Sequence, residues 1–103
     1  MKIVGISACS AGIAHTYIAK QKLIDAAKKA GDTINMETQG TIGTEDALTP
    51  AQIDAADVVL LAVDVKISGR ERFEGKRVIE VSTDTAIKSP NKLLEKVHQV
   101  IGK

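Results

Sequence analysis

The sequence predicts an α/β domain of three layers, with an open sheet of four parallel strands in the order 2-1-3-4 and helices on both faces. Segments typical of strands alternate along the chain with segments typical of helices, which favours a parallel sheet with right-handed crossovers. One segment, Val58–Val63, is an uninterrupted apolar run, as expected for a strand covered on both faces. A chain of 103 residues can build one core and does not require two. We therefore expect a single domain over residues 1–103.

The first third of the chain is predicted to form a strand, a tight loop and a helix. Lys2–Ala8 is rich in β-branched apolar residues and ends at small and polar ones, which indicates a buried strand. Cys9–Gly12 is then the loop. From Ile13 the apolar residues recur at helical spacing and lysines occupy other positions, and Gly31 is expected to end the helix as a C-terminal cap.

A second strand and a short helix are predicted next. Ile34–Gln39 alternates apolar and polar residues, which favours a strand with one exposed face at a sheet edge. Gly40 and Gly43 then interrupt the pattern. Thr49–Gln52 combines a capping box with proline at the first helical position, so a short helix is expected to begin there and to end before Asp57.

The remainder of the chain is predicted to supply two more strands and a final helix. Val58–Val63 is the third strand, and Val65–Arg77, with mixed charges and two glycines, is expected to be a loop with one helical turn. Arg77–Val81 is the fourth strand. Ser89–Pro90 is a strong helix start, and Gly102 is expected to close that helix.

Composition and charge exclude several classes of protein. Fourteen basic and thirteen acidic residues nearly balance, so no general attraction to nucleic acid or to an anionic membrane is indicated. The apolar start is too short for a signal sequence or a membrane span. One cysteine cannot form an internal disulfide, and Cys9, His15 and the distant His98, to which we assign no role, are too few soft ligands for zinc. We therefore expect a cytoplasmic domain with no metal, no cofactor and no nucleic-acid partner.

The only cysteine, Cys9, follows the first strand at the point where open parallel sheets bind ligands, between strands one and three. Its loop leads into a helix whose first amides have no intrahelical partner and attract an anion. A helix N-terminus also lowers the pKa of a cysteine from about 8.5 and favours the nucleophilic thiolate. Many unpaired cysteines are simply buried apolar residues, but Ser10–Gly12 is too small for a core segment and would let a phosphate approach the backbone. We therefore interpret Cys9 as a nucleophile in an anion-binding loop.

Three functions are compatible with such a cysteine. A cysteine phosphatase usually has an arginine close behind its nucleophile, but between Cys9 and Lys20 His15 is the only candidate cation. A loop without that arginine is expected to hold a phosphoryl group without promoting its hydrolysis, which is the property of a carrier. The third possibility is a regulatory binding module in which the cysteine is structural.

The loop sequence Cys-Ser-Ala-Gly-Ile-Ala-His-Thr at Cys9–Thr16 resembles the phosphocysteine loop of the fructose-type enzyme IIB domains of the sugar phosphotransferase system. The resemblance extends over essentially the whole chain. Its further landmarks are Glu37-Thr38-Gln39-Gly40 with Ile42-Gly43, the strand Ala56-Asp57-Val58-Val59-Leu60, and Arg72-Phe73 with Gly75-Lys76.

The resemblance implies that Cys9 accepts a phosphoryl group from a phosphohistidine of enzyme IIA. It also implies that Cys9 passes the group to a fructose-like sugar entering through the membrane-embedded enzyme IIC, with which the domain associates transiently. The phosphate-binding loop would then consist of Ser10, Ala11, Gly12, Ile13, Ala14, His15 and Thr16. The family loop commonly has proline and threonine where Ser10 and Ala11 stand, so phosphoryl affinity or sugar class is expected to differ.

Individual roles remain open at the level of sequence. Thr16 is expected either to bond the phosphate or to bond back to the helix backbone. His15 is expected either to donate to the thiolate or phosphate, or to support the loop as a neutral ring, since the helix dipole disfavours an imidazolium. Gln39 and Gly40 either shape the site or simply end a strand. Asp64 would repel a phosphate, so we interpret it as a cap.

Overall fold

The computed structural model describes residues 1–10, 12–40 and 43–102. Strands and helices alternate over most of this length, and one turn of 3₁₀ helix spans Arg70–Phe73. The elements are β1 (Lys2–Ala8), α1 (Ile13–Lys29), β2 (Thr33–Gly40), β3 (Gly43–Glu45), α2 (Pro50–Ala55), β4 (Val58–Val63), β5 (Val78–Val81), α3 (Thr83–Lys88) and α4 (Pro90–Ile101).

The sheet has five strands in the described residues, in the order β3-β2-β1-β4-β5. β1 pairs in parallel with β2 and β4, β4 pairs in parallel with β5, and β3 pairs antiparallel with β2. The α/β class and a largely parallel sheet are therefore confirmed, but the predicted four strands in the order 2-1-3-4 are wrong. β3 adds an edge strand of only three residues, which is too short to show alternation in the sequence.

Alternate residues of the central strands face two separate cores. On one face α1, α3 and α4 cover a cluster that includes Ile3 and Leu60, together with Leu23 of α1 and Leu94 of α4. On the other face α2 and the 3₁₀ turn cover a second cluster built from Val4, Ile6, Leu48, Ile53, Ala56, Val59, Leu61 and Phe73. The three predicted layers are present, and the α2 layer is the thinner of the two helical layers.

Gly5 allows β1 to fit between its neighbours. A Cβ on this residue would lie 2.2 Å from the carbonyl oxygen of Leu60 and 2.7 Å from Sδ of Met36. Both distances are far below van der Waals contact, and one of the two atoms belongs to the backbone of β4. Glycine therefore lets the central strand lie in the register that brings its carboxyl end level with those of β2 and β4.

Several predicted boundaries are confirmed. α1 ends at Lys29, and the amide of Gly31 donates to the carbonyl of Lys28 at 3.1 Å. The capping box at Thr49 and Gln52 is present with both of its hydrogen bonds, and Pro90 opens α4.

One helix is absent from the prediction. α3 has six residues, and the side chain of Ser82 caps it by accepting from the amide of Thr85. The periodicity of a helix this short does not extend over two turns, so the sequence pattern does not show it. In the described part of the chain no helix has the length and apolar character needed to cross a membrane.

Candidate functional site

Cys9 lies at the carboxyl edge of the sheet, directly after β1. The amide of Asp64 donates to the carbonyl of Ala8 at 2.9 Å, so β1 and β4 end at the same level. Cys9 is 9% exposed. The sequence-based placement of Cys9 between two parallel strands and a helix therefore agrees with the structure.

The first turn of α1 surrounds the sulfur with polar atoms. Sγ of Cys9 lies 3.1 Å from Oγ1 of Thr16, 3.3 Å from Nδ1 of His15 and 3.5 Å from the carbonyl oxygen of Gly12. Thr16 is itself buried, and its carbonyl accepts a hydrogen bond from Oγ of Ser7 at 2.9 Å. A thiolate at this position can accept from both the threonine hydroxyl and a protonated imidazole.

The start of α1 leaves backbone donors available beside the cysteine. The amides of the first residues of a helix have no intrahelical partner, and no side chain among the described residues caps this helix. Gly12, the residue before the helix, has a φ of 118°, a conformation that side-chain-bearing residues rarely adopt. Apart from the chain neighbours of Gly12, no atom of the described residues lies within 4 Å of a Cβ built there, so the conformation and not a lack of space favours glycine.

His15 connects the sulfur to a carboxylate on a different helix. Its Nε2 lies 3.6 Å from Oδ1 of Asp84 in the first turn of α3. The hydrogen bond with Cys9 is the main cause that raises the pKa of His15 above 6.5, and the charges of Cys9, Asp84 and Asp64 act in the same direction against partial desolvation. These neighbours favour the imidazolium that the helix dipole alone would disfavour. Because the attraction is mutual, an imidazolium at this position favours the thiolate of Cys9.

We expect Cys9→Ala to lower the pKa of His15, because it removes the largest contribution that raises it. Asp84→Asn should lower it by a smaller amount. The imidazole can be titrated by NMR in the parent and in both variants, with Asp25→Asn, at an exposed position on α1, as a matched surface control. An unchanged titration in Cys9→Ala would show that the contact between the thiol and the imidazole does not persist in solution.

The raised pKa of His15 also makes its contribution to the stability of the fold depend on pH. The favourable interaction of the imidazolium is fully present below the pKa of an unfolded histidine, and it is lost as the pH rises through the higher folded value. The pairing of the imidazolium with the thiolate therefore extends to a higher pH than an isolated histidine would allow.

A shallow pocket of about 330 Å³ opens beside the cysteine. It lies where the carboxyl ends of β1, β2 and β4 meet, and its volume is sufficient for a phosphoryl group with part of the molecule that carries it. Its described lining consists of Ala8, Cys9, Gln39, Gly40, Val65 and Lys66. Gln39 and Gly40 therefore help to shape the site as well as ending a strand.

A larger groove of about 620 Å³ lies between α1 and α4, lined in part by Ala26, Leu94 and His98. None of the groups that contact the sulfur of Cys9 lines it, and its described lining contains no cysteine. The candidate site is therefore the smaller pocket beside Cys9. Nε2 of His98 lies 2.6 Å from Oδ2 of Asp32.

A polar network behind the pocket was not predicted. Glu37 is 1% exposed and accepts hydrogen bonds from both terminal nitrogens of Arg72, at 2.9 and 3.0 Å, and from Nε2 of Gln39 at 2.8 Å. Gln39 in turn exchanges two hydrogen bonds of 2.9 Å with the backbone of Ser68. The network ties β2 to the segment after β4. The available sequence signal was that Gln39 lies at the end of β2 and Lys66 follows the end of β4, the two strands that flank β1.

The predicted loop residues differ in their exposure and in their contact with the sulfur of Cys9. Ser10 and Ala14 are exposed, whereas His15 and Thr16 contact the sulfur. Ala11 and the side chain of Ile13 lie outside the described residues. Asp64 accepts hydrogen bonds from the amide and the hydroxyl of Thr83, which opens α3, so its predicted role as a cap is confirmed.

The described residues contain no group of three histidine, cysteine, aspartate or glutamate side chains placed to hold a metal ion. The groups that the site offers are a thiol, an imidazole, a hydroxyl, helix amides and one lysine. Together these suit the binding of a phosphoryl group by hydrogen bonds and charge, with sulfur as the nucleophile.

Comparison with known proteins identifies relatives over nearly the full chain. The family model described as "PTS system, Lactose/Cellobiose specific IIB subunit" matches residues 4–96. The "PTS system fructose-like EIIB component 2" of Escherichia coli (strain K12) is 41% identical over 93% of this chain and 91% of its own. The "PTS system fructose-specific EIIB'BC component" of Xanthomonas campestris pv. campestris is 45% identical over 92% of this chain, which corresponds to 16% of that longer protein.

A solved structure extends the comparison to three dimensions. The crystal structure of a domain from the fructose-specific IIABC component of Borrelia burgdorferi superposes with a TM-score of 0.88 at 49% identity, and the match covers 94% of this chain and 92% of that domain. The matches therefore include the loop that contains Cys9 as well as the strands around it. The chain belongs to the enzyme IIB family of the sugar phosphotransferase systems, as a fructose-like EIIB component and thus a phosphocarrier domain.

Proposed function

We propose that Cys9 is the residue that carries the phosphoryl group. The observation that supports this most directly is the position of its sulfur, which borders the pocket and lies within 3.5 Å of groups from the first turn of α1. This arrangement supplies a nucleophile together with donors for the oxygens of a transferring phosphoryl group.

In the first transfer, Sγ of Cys9 as thiolate attacks the phosphorus of a phosphohistidine on enzyme IIA. The S–P bond forms while the P–N bond breaks, and the electron pair of that bond returns to the imidazole of the donor, which takes up a proton. The thiol proton of Cys9 has left before attack, and His15 at 3.3 Å is the group placed to receive it.

Loop donors stabilise the phosphoryl oxygens during the transfer. The amides at the start of α1 point along the helix axis toward the loop that follows Cys9. The hydroxyl of Thr16 donates to the sulfur or to an oxygen, and the exposed hydroxyl of Ser10 is available to the bound group. Ser10, Ala11, Gly12, Ile13, Ala14, His15 and Thr16 thus form the proposed phosphate-binding loop.

In the second transfer, a hydroxyl oxygen of the sugar attacks the same phosphorus. The O–P bond forms, the S–P bond breaks and its electron pair restores the thiolate, while the hydroxyl proton leaves to a base or to water. We assign enzyme IIA as the donor and the sugar bound by the membrane subunit IIC as the acceptor, as the fused IIABC arrangement of the Borrelia burgdorferi relative suggests. A fructose-like sugar follows from the printed names of the relatives.

We further propose that residues 1–103 act as one unit in the cytoplasm that docks transiently with the permease. The pocket supports a carrier over a hydrolase, because its described lining offers a lysine and no arginine. A guanidinium clamp that would promote attack by water on the phosphocysteine is therefore not part of the described lining.

The direct test is intact-mass analysis after incubation with phosphorylated enzyme IIA of the same system. We expect the mass to increase by one phosphoryl group, which peptide mapping should place on Cys9. Two controls are the unphosphorylated donor and a chain whose thiol has been alkylated beforehand. If the parent acquires no adduct from a donor that is proven to be active, the proposed transfer is wrong.

A further inference from the structure

We propose that Lys66 is the cation that binds the phosphoryl group while Cys9 carries it. The inference rests on the proposed function, and it concerns a residue in the loop after β4, far from Cys9 in sequence. Of the residues described as lining the pocket beside Cys9, Lys66 is the only one with a charged side chain. It therefore adds to the imidazole of His15, which contacts the sulfur, a second cation from a different part of the chain.

The segment that carries Lys66 is held at both of its ends. At its start, the amide of Asp64 donates to the carbonyl of Ala8 at 2.9 Å, next to the cysteine. At its end, Ser68 exchanges two hydrogen bonds of 2.9 Å with the side-chain amide of Gln39, which also lines the pocket. Only three residues separate these two attachments, so the backbone at Lys66 is placed beside Cys9.

The network behind the pocket strengthens this placement. Nε of Arg72 donates to the carbonyl of Gly69 at 2.7 Å, while its two terminal nitrogens bond to the carboxylate of Glu37. Glu37 also accepts from Gln39 at 2.8 Å. The segment after β4 is thus joined to β2 by a chain of hydrogen bonds that ends on the wall of the pocket.

The nearby arginines form ion pairs with other residues. Arg72 is paired with Glu37, and Arg70 is paired with Glu80 at 2.6 Å. Across the described residues, no hydrogen bond or ion pair joins the ammonium of Lys66 to another group. The ammonium of Lys66 therefore remains available for a ligand that enters the pocket.

A lysine also suits a carrier for a chemical reason. A phosphoryl group attached to a side chain bears a charge of about −1.5 to −2 at neutral pH, which favours a cation beside it. Arginine binds phosphate through a rigid two-pronged fork, whereas lysine acts as a mobile point charge on a flexible stem. A mobile ammonium can stabilise the phosphocysteine and then follow the group as it moves to the sugar.

The test compares Lys66→Gln and Lys66→Arg with the parent, and Lys22→Gln, at an exposed lysine of α1 that lines no described pocket, is the matched control. All chains are phosphorylated by enzyme IIA and titrated by ³¹P NMR. We expect the second ionisation of the phosphoryl group to move to higher pH in Lys66→Gln, and phosphorylation to slow by about tenfold. Lys66→Arg and Lys22→Gln should titrate close to the parent.

The other charged groups near the sulfur, His15, Asp64 and Asp84, are unchanged in every one of these chains, so a shift reports the charge at position 66. A parent that is phosphorylated normally, together with a Lys66→Gln chain that shows the same titration and rate, would overturn the assignment of Lys66 and leave the proposed function intact. A parent that acquires no phosphoryl group would refute both. Because Lys66 is exposed, the midpoint of urea unfolding should be equal in all four chains.

Discussion

Cys9→Ser is expected to abolish phosphoryl transfer through this chain. A serine hydroxyl stays protonated at neutral pH, whereas the thiolate is the form that attacks phosphorus. In a system reconstituted with the IIA and IIC partners and the sugar, the rate of sugar phosphorylation should fall by at least ~10⁴-fold, the order of loss on removing a nucleophile from other enzymes. Intact-mass analysis should detect no phosphoryl adduct.

The loss is informative only if the variant folds. Serine is close to cysteine in size, and the neighbouring Thr16 and His15 can bond its hydroxyl, so the midpoint of urea unfolding should change little. A matched control moves the thiol by one position, in the double variant with Cys9→Ser and Ser10→Cys. Position 10 is exposed, so this chain should remain inactive although its loop still contains a thiol.

Two outcomes would contradict the carrier role. A Cys9→Ser chain that supported sugar phosphorylation at the parent's rate would show that the cysteine is structural, as expected for a regulatory module. Turnover of an aryl phosphate by the parent, lost in Cys9→Ser, would favour the hydrolytic alternative.

Glu37→Gln is expected to cause the largest loss of stability among the polar substitutions. The carboxylate accepts four hydrogen bonds, from the two terminal nitrogens of Arg72, from Gln39 and from the amide of Leu48. The side-chain NH₂ group of glutamine would face at least one of these N–H donors, which would then have no acceptor. We expect the free energy of unfolding to fall by about 3 kcal/mol, as when one partner of a buried ion pair is removed.

The matched control is Glu80→Gln, which removes the carboxylate of the exposed pair with Arg70. The two partners of that pair are 54% and 48% exposed, so its loss should cost less than about 1 kcal/mol. Urea unfolding at neutral pH compares the two variants. Equal destabilisation by both would show that the buried network contributes no more than a surface ion pair.

The same network predicts that the free energy of unfolding depends on pH. Burial by itself raises the pKa of Glu37, but the hydrogen bonds from Arg72, Gln39 and Leu48 outweigh it and hold the pKa below 4.5. The stabilising contribution is therefore present above the unfolded pKa, and it is lost as the pH falls through the lower folded value. The gap in unfolding free energy between the parent and Glu37→Gln should be constant above pH 4.5 and shrink below it. A gap that persists in acid would contradict this assignment.

The sequence was sufficient for the parts of the fold that have strong local signals. The apolar run Val58–Val63, the capping box at Thr49 and the proline at the start of α4 each predict an element that the structure contains. β3 and α3 have three and six residues, too few to show a period. They form because neighbouring elements offer backbone partners and a capping group such as Asp64.

For the site, the sequence by itself determined the position of the proposed nucleophile: Cys9 follows a strand, precedes a helix and is followed by small residues. The sequence also identified His15 and Thr16, in the first turn of α1. Residues that are so near to one another in the sequence come together within one turn of a helix.

Only the tertiary structure decided which distant residues lie around the proposed site. Lys66 comes from the loop after β4, Gln39 from β2 and Asp84 from α3, and they converge because parallel strands end at the same edge of the sheet. Their distances depend on strand register and on hydrogen bonds between loops, such as those of Gln39 with Ser68. The pattern of residues along one segment does not encode these long-range pairings, because each depends on the packing of elements that are far apart in the chain.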